Sequence, residues 1–268
     1  MKWTVRKFRA AKGGQPLGLV TAYDFLTARM AQRAGVPLVL VGDSLSTTAL
    51  GHATTIPATM DVMVHHAEAV RRGAPDALVV GDMPFLSYAT VPEALHNAGR
   101  FLREAGCDAV KIEGGVTKAA TIRALVDEGI PVQAHIGLQP QSVKSTGYAV
   151  RGRTPEDAAA LEADLDAVTA AGAFSVVLEC VVPDVAAALT ARTDIPTIGV
   201  GSGSACDAQY LVLADLLGLG DGPAPKLAKA YAHLADAAVA AVRIRQQGVQ
   251  TPAQTHFSHG ITAPCFCG

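Results

Sequence analysis

The chain has 268 residues, half of them hydrophobic, with 22 Lys and Arg against 24 Asp and Glu and a formal net charge of −2. That length suits one large α/β domain or two small ones, and the near-neutral balance offers neither a basic face for nucleic acid nor a polybasic patch for a membrane. No apolar run approaches the roughly 18 residues a membrane span needs. The opening MKWTVRKFRAAKGG is basic but has no apolar core behind it, so it does not read as a signal peptide. The five cysteines, Cys107, Cys180, Cys206, Cys265 and Cys267, are odd in number and irregularly spaced. Free thiols in a reducing cytoplasm are the expectation.

Short apolar runs alternate with longer amphipathic segments along the chain. Leu17–Thr21 predicts a strand and Asp24–Ala34 a helix, followed by Leu38–Val41 and Thr59–Arg72. The pattern repeats as Leu78–Val80 with Val91–Ala105, Ala109–Glu113 with Thr117–Glu128, and Val132–His135 with Pro155–Ala171. It continues as Ser175–Glu179 with Pro183–Ala191, then Pro196–Val200, then an eighth strand within Tyr210–Leu217. A long last helix is expected over about Ala224–Gln247. Thr90 and Thr154 precede Val91-Pro92 and Pro155-Glu156 as N-caps, and Gly35, Gly73, Gly106 and Gly172 read as helix-closing caps. Continuous apolar strands suit a sheet covered on both faces. Eight strand–helix units predict a (β/α)8 TIM barrel, with a doubly wound open sheet as the alternative. No linker divides the chain, so residues 1–268 read as one domain with an extension over about 1–16. The loop Gln139–Arg153 and a mobile tail from about Thr251 stand outside the repeat.

Barrel enzymes carry their chemistry at the C-terminal ends of strands. Here those ends hold Tyr23/Asp24, Asp43/Ser44, Asp82, Lys111/Glu113, His135 and Glu179, and then a Gly-rich turn. A lone buried carboxylate is costly, so acids following apolar runs need partners. Asp43, Asp82 and Glu113 converging on a hard divalent cation is one answer, since Mg²⁺ takes one or two carboxylates with water and substrate oxygens. Single acids capping the following helices is the other. Lys111 and Glu113, two apart on a strand, share a face. Lys111 there could meet a substrate carboxylate or a developing oxyanion. His135 reads equally as a structural hydrogen bonder or a catalytic group. Glu179 behind four apolar residues has the setting of a general base, with a strand-end ion pair as its plainer role. The turn Gly199–Ser204 is either a phosphate cradle or a bare tight turn. In the tail, His256, His259, Cys265 and Cys267 offer four ligand atoms, but H-x2-H…C-x-C matches no established zinc finger.

The segments TAYD (Thr21–Asp24), LVGDSL (Leu40–Leu45), GHATTIPAT (Gly51–Thr59), AVRRGAP (Ala69–Pro75), GDMPFLSY (Gly81–Tyr88), KIEGG (Lys111–Gly115), HIGLQPQSV (His135–Val143) and LEC (Leu178–Cys180) follow one another in order. Together they resemble the ketopantoate hydroxymethyltransferase family from about Leu17 to Tyr231. The resemblance implies a (β/α)8 barrel of the phosphoenolpyruvate/pyruvate superfamily type, assembled as a homodecamer. It also implies transfer of a one-carbon unit from 5,10-methylenetetrahydrofolate to C3 of 3-methyl-2-oxobutanoate, giving 2-dehydropantoate. Carried over motif by motif, it makes Asp43 and Asp82 Mg²⁺ ligands with Glu113 assisting. Ser44 and Lys111 become substrate-carboxylate contacts, His135 a further active-site contact, and Glu179 the base.

The sequence departs from the family pattern mainly at Ser46-Thr47-Thr48, more polar than usual, at Ala53, where an acid is common, and at Ala208, where glycine is usual. These departures are expected to bear on the identity of the oxo acid. Three outcomes stay open from the residues: the hydroxymethyltransferase or a paralogue acting on a neighbouring oxo acid, a Mg²⁺-dependent aldolase or lyase using a free aldehyde, and a silent barrel serving as an assembly subunit.

Overall fold

The structure, a computed structural model, describes residues 2–220 and 228–250. Eight parallel strands close into a barrel in chain order: β1 (Leu17–Thr21), β2 (Leu38–Val41), β3 (Leu78–Asp82), β4 (Ala109–Glu113), β5 (Val132–Gly137), β6 (Ser175–Glu179), β7 (Thr197–Val200) and β8 (Ala208–Val212). β8 pairs with β1 from Leu17↔Ala208 to Thr21↔Val212, which closes the ring and excludes the open sheet. The helices are α1 (Val5–Arg9), α2 (Phe25–Arg33), α3 (Leu45–Thr48), α4 (Met60–Gly73), α5 (Val91–Arg103), α6 (Ala119–Asp127), α7 (Val143–Thr146), α8 (Pro155–Ala170), α9 (Pro183–Arg192), α10 (Leu213–Leu217) and α11 (Leu234–Gln250).

Strand alternation sorts the apolar residues into two cores. One lies between sheet and helices and includes Val39, Val79, Val110, Val132 and Val176 with Phe101 and Leu165. The other fills the barrel with Leu38, Leu40, Leu78, Val80, Val177 and Ile198. Phe8 of α1 belongs to the inner core and meets Phe174 edge-on at 6.1 Å between ring centroids. The N-terminal segment is thus a plug for the end of the barrel opposite the strand C-termini. Polar residues at the strand C-termini can therefore project together into the interior at the opposite end.

Local chemistry sets the helix ends. Thr90 Oγ1 accepts from Glu93 N–H while Glu93 reaches back to Thr90 N–H, a complete capping box, and Thr154 caps α8 through Asp157 N–H. Gly35, Gly106 and Gly172 adopt positive φ just beyond their helices. Gly73 does not cap: it is the last residue of α4, and a Cβ there would collide with Phe25 O and Ala28 on α2. The eighth strand begins two residues before the expected segment, and Leu213–Leu217 is helix α10. The last helix starts at Leu234, because Tyr231 N–H donates to Leu216 O (2.8 Å) and Ala235 N–H to Gly218 O (3.0 Å). The expected start near Ala224 and the four tail residues His256, His259, Cys265 and Cys267 lie outside the described residues. Cys107, Cys180 and Cys206 are buried free thiols.

Candidate active site

Asp43 follows β2, Asp82 ends β3, Lys111 and Glu113 share β4, His135 lies on β5 and Glu179 ends β6. Parallel register aligns Asp82 with Lys111 and Glu113 with His135 across neighbouring strands. All six line one cavity of about 160 Å³ together with Ser44. Since one water needs roughly 10–15 Å³, the space is ample for a small organic acid. Its remaining wall is partly apolar, from Leu40, Val177, Val200 and Val212.

Among the described residues lining this cavity, Lys111 is the one ammonium, against the carboxylates of Asp43, Asp82, Glu113 and Glu179. Its Nζ donates to Asp82 Oδ1 at 2.7 Å and stands 3.7 Å from Glu113 Oε1. Burial opposes its charge, but the surrounding acids outweigh burial and hold Lys111 protonated. Burial raises the Asp82 and Glu113 carboxyls above the ordinary range, and Lys111 offsets this only in part. Glu179 is pushed up to about 7, first by burial and then by the field of Asp43 and Asp82 working against Lys111. His135 is fully enclosed and held well below its usual value by burial and by Lys111, so its imidazole is neutral near neutral pH. Its Nε2 lies 3.4 Å from Glu179 Oε2 and its Nδ1 3.8 Å from Glu113 Oε1, without hydrogen-bond alignment to either.

Neither Asp43 nor Asp82 caps a helix. Asp82 Oδ2 accepts from Asp43 N–H at 3.0 Å, and the short α3 is preceded by Ser44, which makes no side-chain cap. Asp24 does cap, accepting from Thr27 N–H at 2.9 Å. The turn after β7 is a brace: Ser202 Oγ, fully buried, donates to Leu178 O (2.7 Å) and accepts from Val181 N–H (3.0 Å). The Ser202 hydroxyl thus ties the turn to β6. Gly137 makes a second brace possible. With φ at +95° and Glu179 O where a Cβ would stand, only glycine lets Leu138 N–H reach that carbonyl at 2.8 Å.

None of the altered positions lines the cavity, although the Thr48 hydroxyl hydrogen-bonds Tyr23 beside it. Ser46 is fully buried and donates to Thr54 O at 2.9 Å, and Thr47 Oγ1 donates to Ser44 O. Ala208 is buried in the barrel interior. Three polar residues to which sequence reasoning gave no role, Tyr23 being named only as a strand end, stand beside the site. Tyr23 OH is 2.8 Å from Ser44 Oγ and accepts from Thr21 Oγ1 at 3.0 Å. Tyr88 and Gln141 form a buried pair touching the acid cluster. All three fall inside the quoted TAYD, GDMPFLSY and HIGLQPQSV segments, which is the signal that could have found them.

Among the described residues, no three His, Cys, Asp or Glu side chains are gathered tightly enough to form a metal cage by themselves. An octahedral hard cation needs less, because water and substrate oxygens complete its shell. No helix among the described residues is long and apolar enough to cross a membrane.

The fold is shared with 2,3-dimethylmalate lyase, a PEP mutase/isocitrate lyase superfamily member, at a TM-score of 0.62 and 19% identity, covering 97% of this chain and 93% of that one. A phosphonomutase-like structure from Burkholderia cenocepacia aligns at a TM-score of 0.65 and 19% identity, covering 91% and 98%. Sequence relatives are much nearer. The 3-methyl-2-oxobutanoate hydroxymethyltransferase of Moorella thermoacetica is 52% identical over 231 residues, covering 85% of this chain and 86% of its own. That of Desulfotalea psychrophila is 45% identical over 268 residues, covering 99% and 96%. The profile described as ketopantoate hydroxymethyltransferase matches residues 2–253. This chain belongs to the ketopantoate hydroxymethyltransferase family of enzymes.

Proposed function

We propose that the chain transfers a hydroxymethyl group from 5,10-methylenetetrahydrofolate to C3 of 3-methyl-2-oxobutanoate, giving 2-dehydropantoate, with Mg²⁺ in the site and Glu179 as base. The supporting observation is the charge imbalance at the strand ends: four carboxylates face one ammonium in a cavity sized for a small acid. Glu113 Oε1 is buried without a hydrogen-bond partner, and one oxygen of Asp43 likewise receives no hydrogen bond among the described residues. Those oxygens, with Asp82, fit a hard cation. Bound there, Mg²⁺ would polarise the keto oxygen of the oxo acid and make its C3 hydrogen acidic.

The protein groups then have separable tasks. Ser44, its hydroxyl held by Tyr23, and Lys111 receive the substrate carboxylate. Lys111 also supplies positive charge where the enolate oxygen develops. The neutral His135 offers a ring N–H to the bound acid. Leu40, Val177, Val200 and Val212 give the branched apolar end of the substrate a dry wall. Glu179, poised near neutrality, removes the C3 proton. C3 then bonds to the methylene carbon of the folate, both of that carbon's bonds to nitrogen break, and water supplies the hydroxyl of the product. The C3 proton and one proton of that water end on the two nitrogens of the released tetrahydrofolate. The cavity holds the oxo acid, so the folate stands at its mouth. The same reading takes the enzyme as a cytoplasmic homo-oligomer.

The experiment is Glu179→Gln. It should retain oxo-acid binding and lose turnover by about 10²–10⁴-fold, the usual worth of a general base. Near-normal turnover removes Glu179 from that role.

A further inference from the structure

The acid cluster is gripped from one side by a pair of uncharged residues far apart in sequence. Gln141 sits in the turn Pro140–Ser142 after β5, and Tyr88 in the segment after β3. Both are buried, at 4% and 6% exposure, although each carries strong hydrogen-bonding groups. Buried polar groups stay only when their bonds are made, so each bond can be accounted for. Gln141 Nε2 donates to Asp43 Oδ2 and to Met83 O, both at 3.0 Å. A carbonyl can only accept, which fixes the amide's orientation. Gln141 Oε1 in turn accepts from Tyr88 O–H at 2.6 Å. The backbone N–H of Gln141 lies in the first turn after Pro140 and has no partner within that turn, and it donates to Glu113 Oε2 at 3.0 Å.

The consequence is a pattern shared by two acids. Asp43 and Glu113 each have one oxygen held by Gln141 and the other left for something else. A carboxylate tied at one oxygen cannot swing, so the free oxygens keep a fixed spacing when a cation arrives. Asp43 Oδ2 and Met83 O, both acceptors, favour this orientation of the amide from its Nε2 end, and Tyr88 O–H holds the Oε1 end, so that each end of the amide is tied. Groups that orient ligating side chains commonly set metal affinity by 10–100-fold.

We propose that Tyr88 and Gln141 are positioning residues for the cation: Tyr88 locks the Gln141 amide, and Gln141 aims one free oxygen each of Asp43 and Glu113 into the site. This inference rests on the cation reading given above. Neither residue touches substrate in this account; both act through the carboxylates.

The test is binding of Mn²⁺ alone, followed by electron paramagnetic resonance of the free ion, with no substrate and no turnover. Wild type, Tyr88→Phe, Gln141→Leu and the double variant are compared, with thermal unfolding measured beside each. Tyr88→Phe should weaken Mn²⁺ binding by about 10-fold and Gln141→Leu by about 10–100-fold. The double variant should be no weaker than Gln141→Leu alone, because Tyr88 acts only through the amide. Should Gln141→Leu fail to fold, Tyr88→Phe decides alone. Affinity in Tyr88→Phe within twofold of wild type, even with a lowered melting temperature, would make the pair merely structural and overturn the inference. Wild type that binds no Mn²⁺ overturns the cation reading itself, and the inference with it.

Discussion

Lys111 Nζ lies 2.7 Å from Asp82 Oδ1 with both side chains almost wholly enclosed, yet this ion pair leaves its surroundings acidic. A buried pair needs nearly ideal geometry to offset the loss of hydration. Here the same ammonium must also serve Glu113 at 3.7 Å, in a cavity that Asp43 and Glu179 share. One ammonium cannot neutralise four carboxylates, so near neutrality the site makes up the missing charge with protons, which a second cation could replace. That shortage is the physical basis of the functional reading.

Added Mg²⁺ should therefore stabilise the protein, and more so at high pH. Burial raises the Asp82 and Glu113 carboxyls in the folded state above their unfolded values. Between those values the folded protein binds more protons, so the stability of the cation-free protein falls as pH rises through the window. Mg²⁺ competes with those protons. The melting-temperature gain at saturating Mg²⁺ should be small near about pH 5 and larger near about pH 8, in a calorimetric scan of one preparation at both values. A gain independent of pH would show that these carboxyls do not meet the cation.

The pH–rate profile should carry an acid limb belonging to Glu179. Its carboxyl sits at about 7 in the cation-free protein, and only the ionised form accepts a proton. Activity should thus rise with pH through that limb. A bound cation offsets the acidic field of Asp43 and Asp82, so the limb at saturating Mg²⁺ should fall at or below neutrality. Glu179→Gln should abolish it along with the activity. Persistence of the limb in residual turnover would assign it to another group.

Tyr23→Phe should act on substrate binding more than on chemistry. The phenol O–H sits between Thr21 Oγ1 and Ser44 Oγ. Its loss leaves the Ser44 hydroxyl free to rotate away from the oxo-acid carboxylate. A hydrogen bond of this kind contributes about 0.5–1.5 kcal/mol, so KM for the oxo acid should rise by about 2–12-fold with kcat little changed. An equal fall in kcat at unchanged KM would place Tyr23 in the chemical step instead.

Much of this was legible because strands and charges leave strong marks. Apolar runs ending in Asp43, Asp82, Glu113 and Glu179 placed both the barrel and the acids. The same runs failed where their signal blurred. AQYLV flows into LADLL without a break, so β8 and α10 merged into one segment. The described residues Ala228–His233 have helical composition, but backbone bonds from Tyr231 and Ala235 to the α10 region override it. Ser46 and Thr47 read as altered rim residues, and their hydroxyls turn out to be used on backbone carbonyls. Gln141 and Tyr88 stayed hidden for a different reason. They carry no charge, belong to no periodic pattern, and meet across 53 residues of sequence only once the loops after β3 and β5 fold over the site.

The most direct test of the account is hydrogen exchange at C3 of 3-methyl-2-oxobutanoate in D₂O, followed by NMR with Mg²⁺ and without folate. The enolising half-reaction needs only the cation, Lys111 and Glu179, so wild type should incorporate deuterium in a Mg²⁺-dependent manner and Glu179→Gln should not. No exchange by folded, Mg²⁺-saturated wild type would contradict the assignment of this oxo acid and of Glu179 as its base.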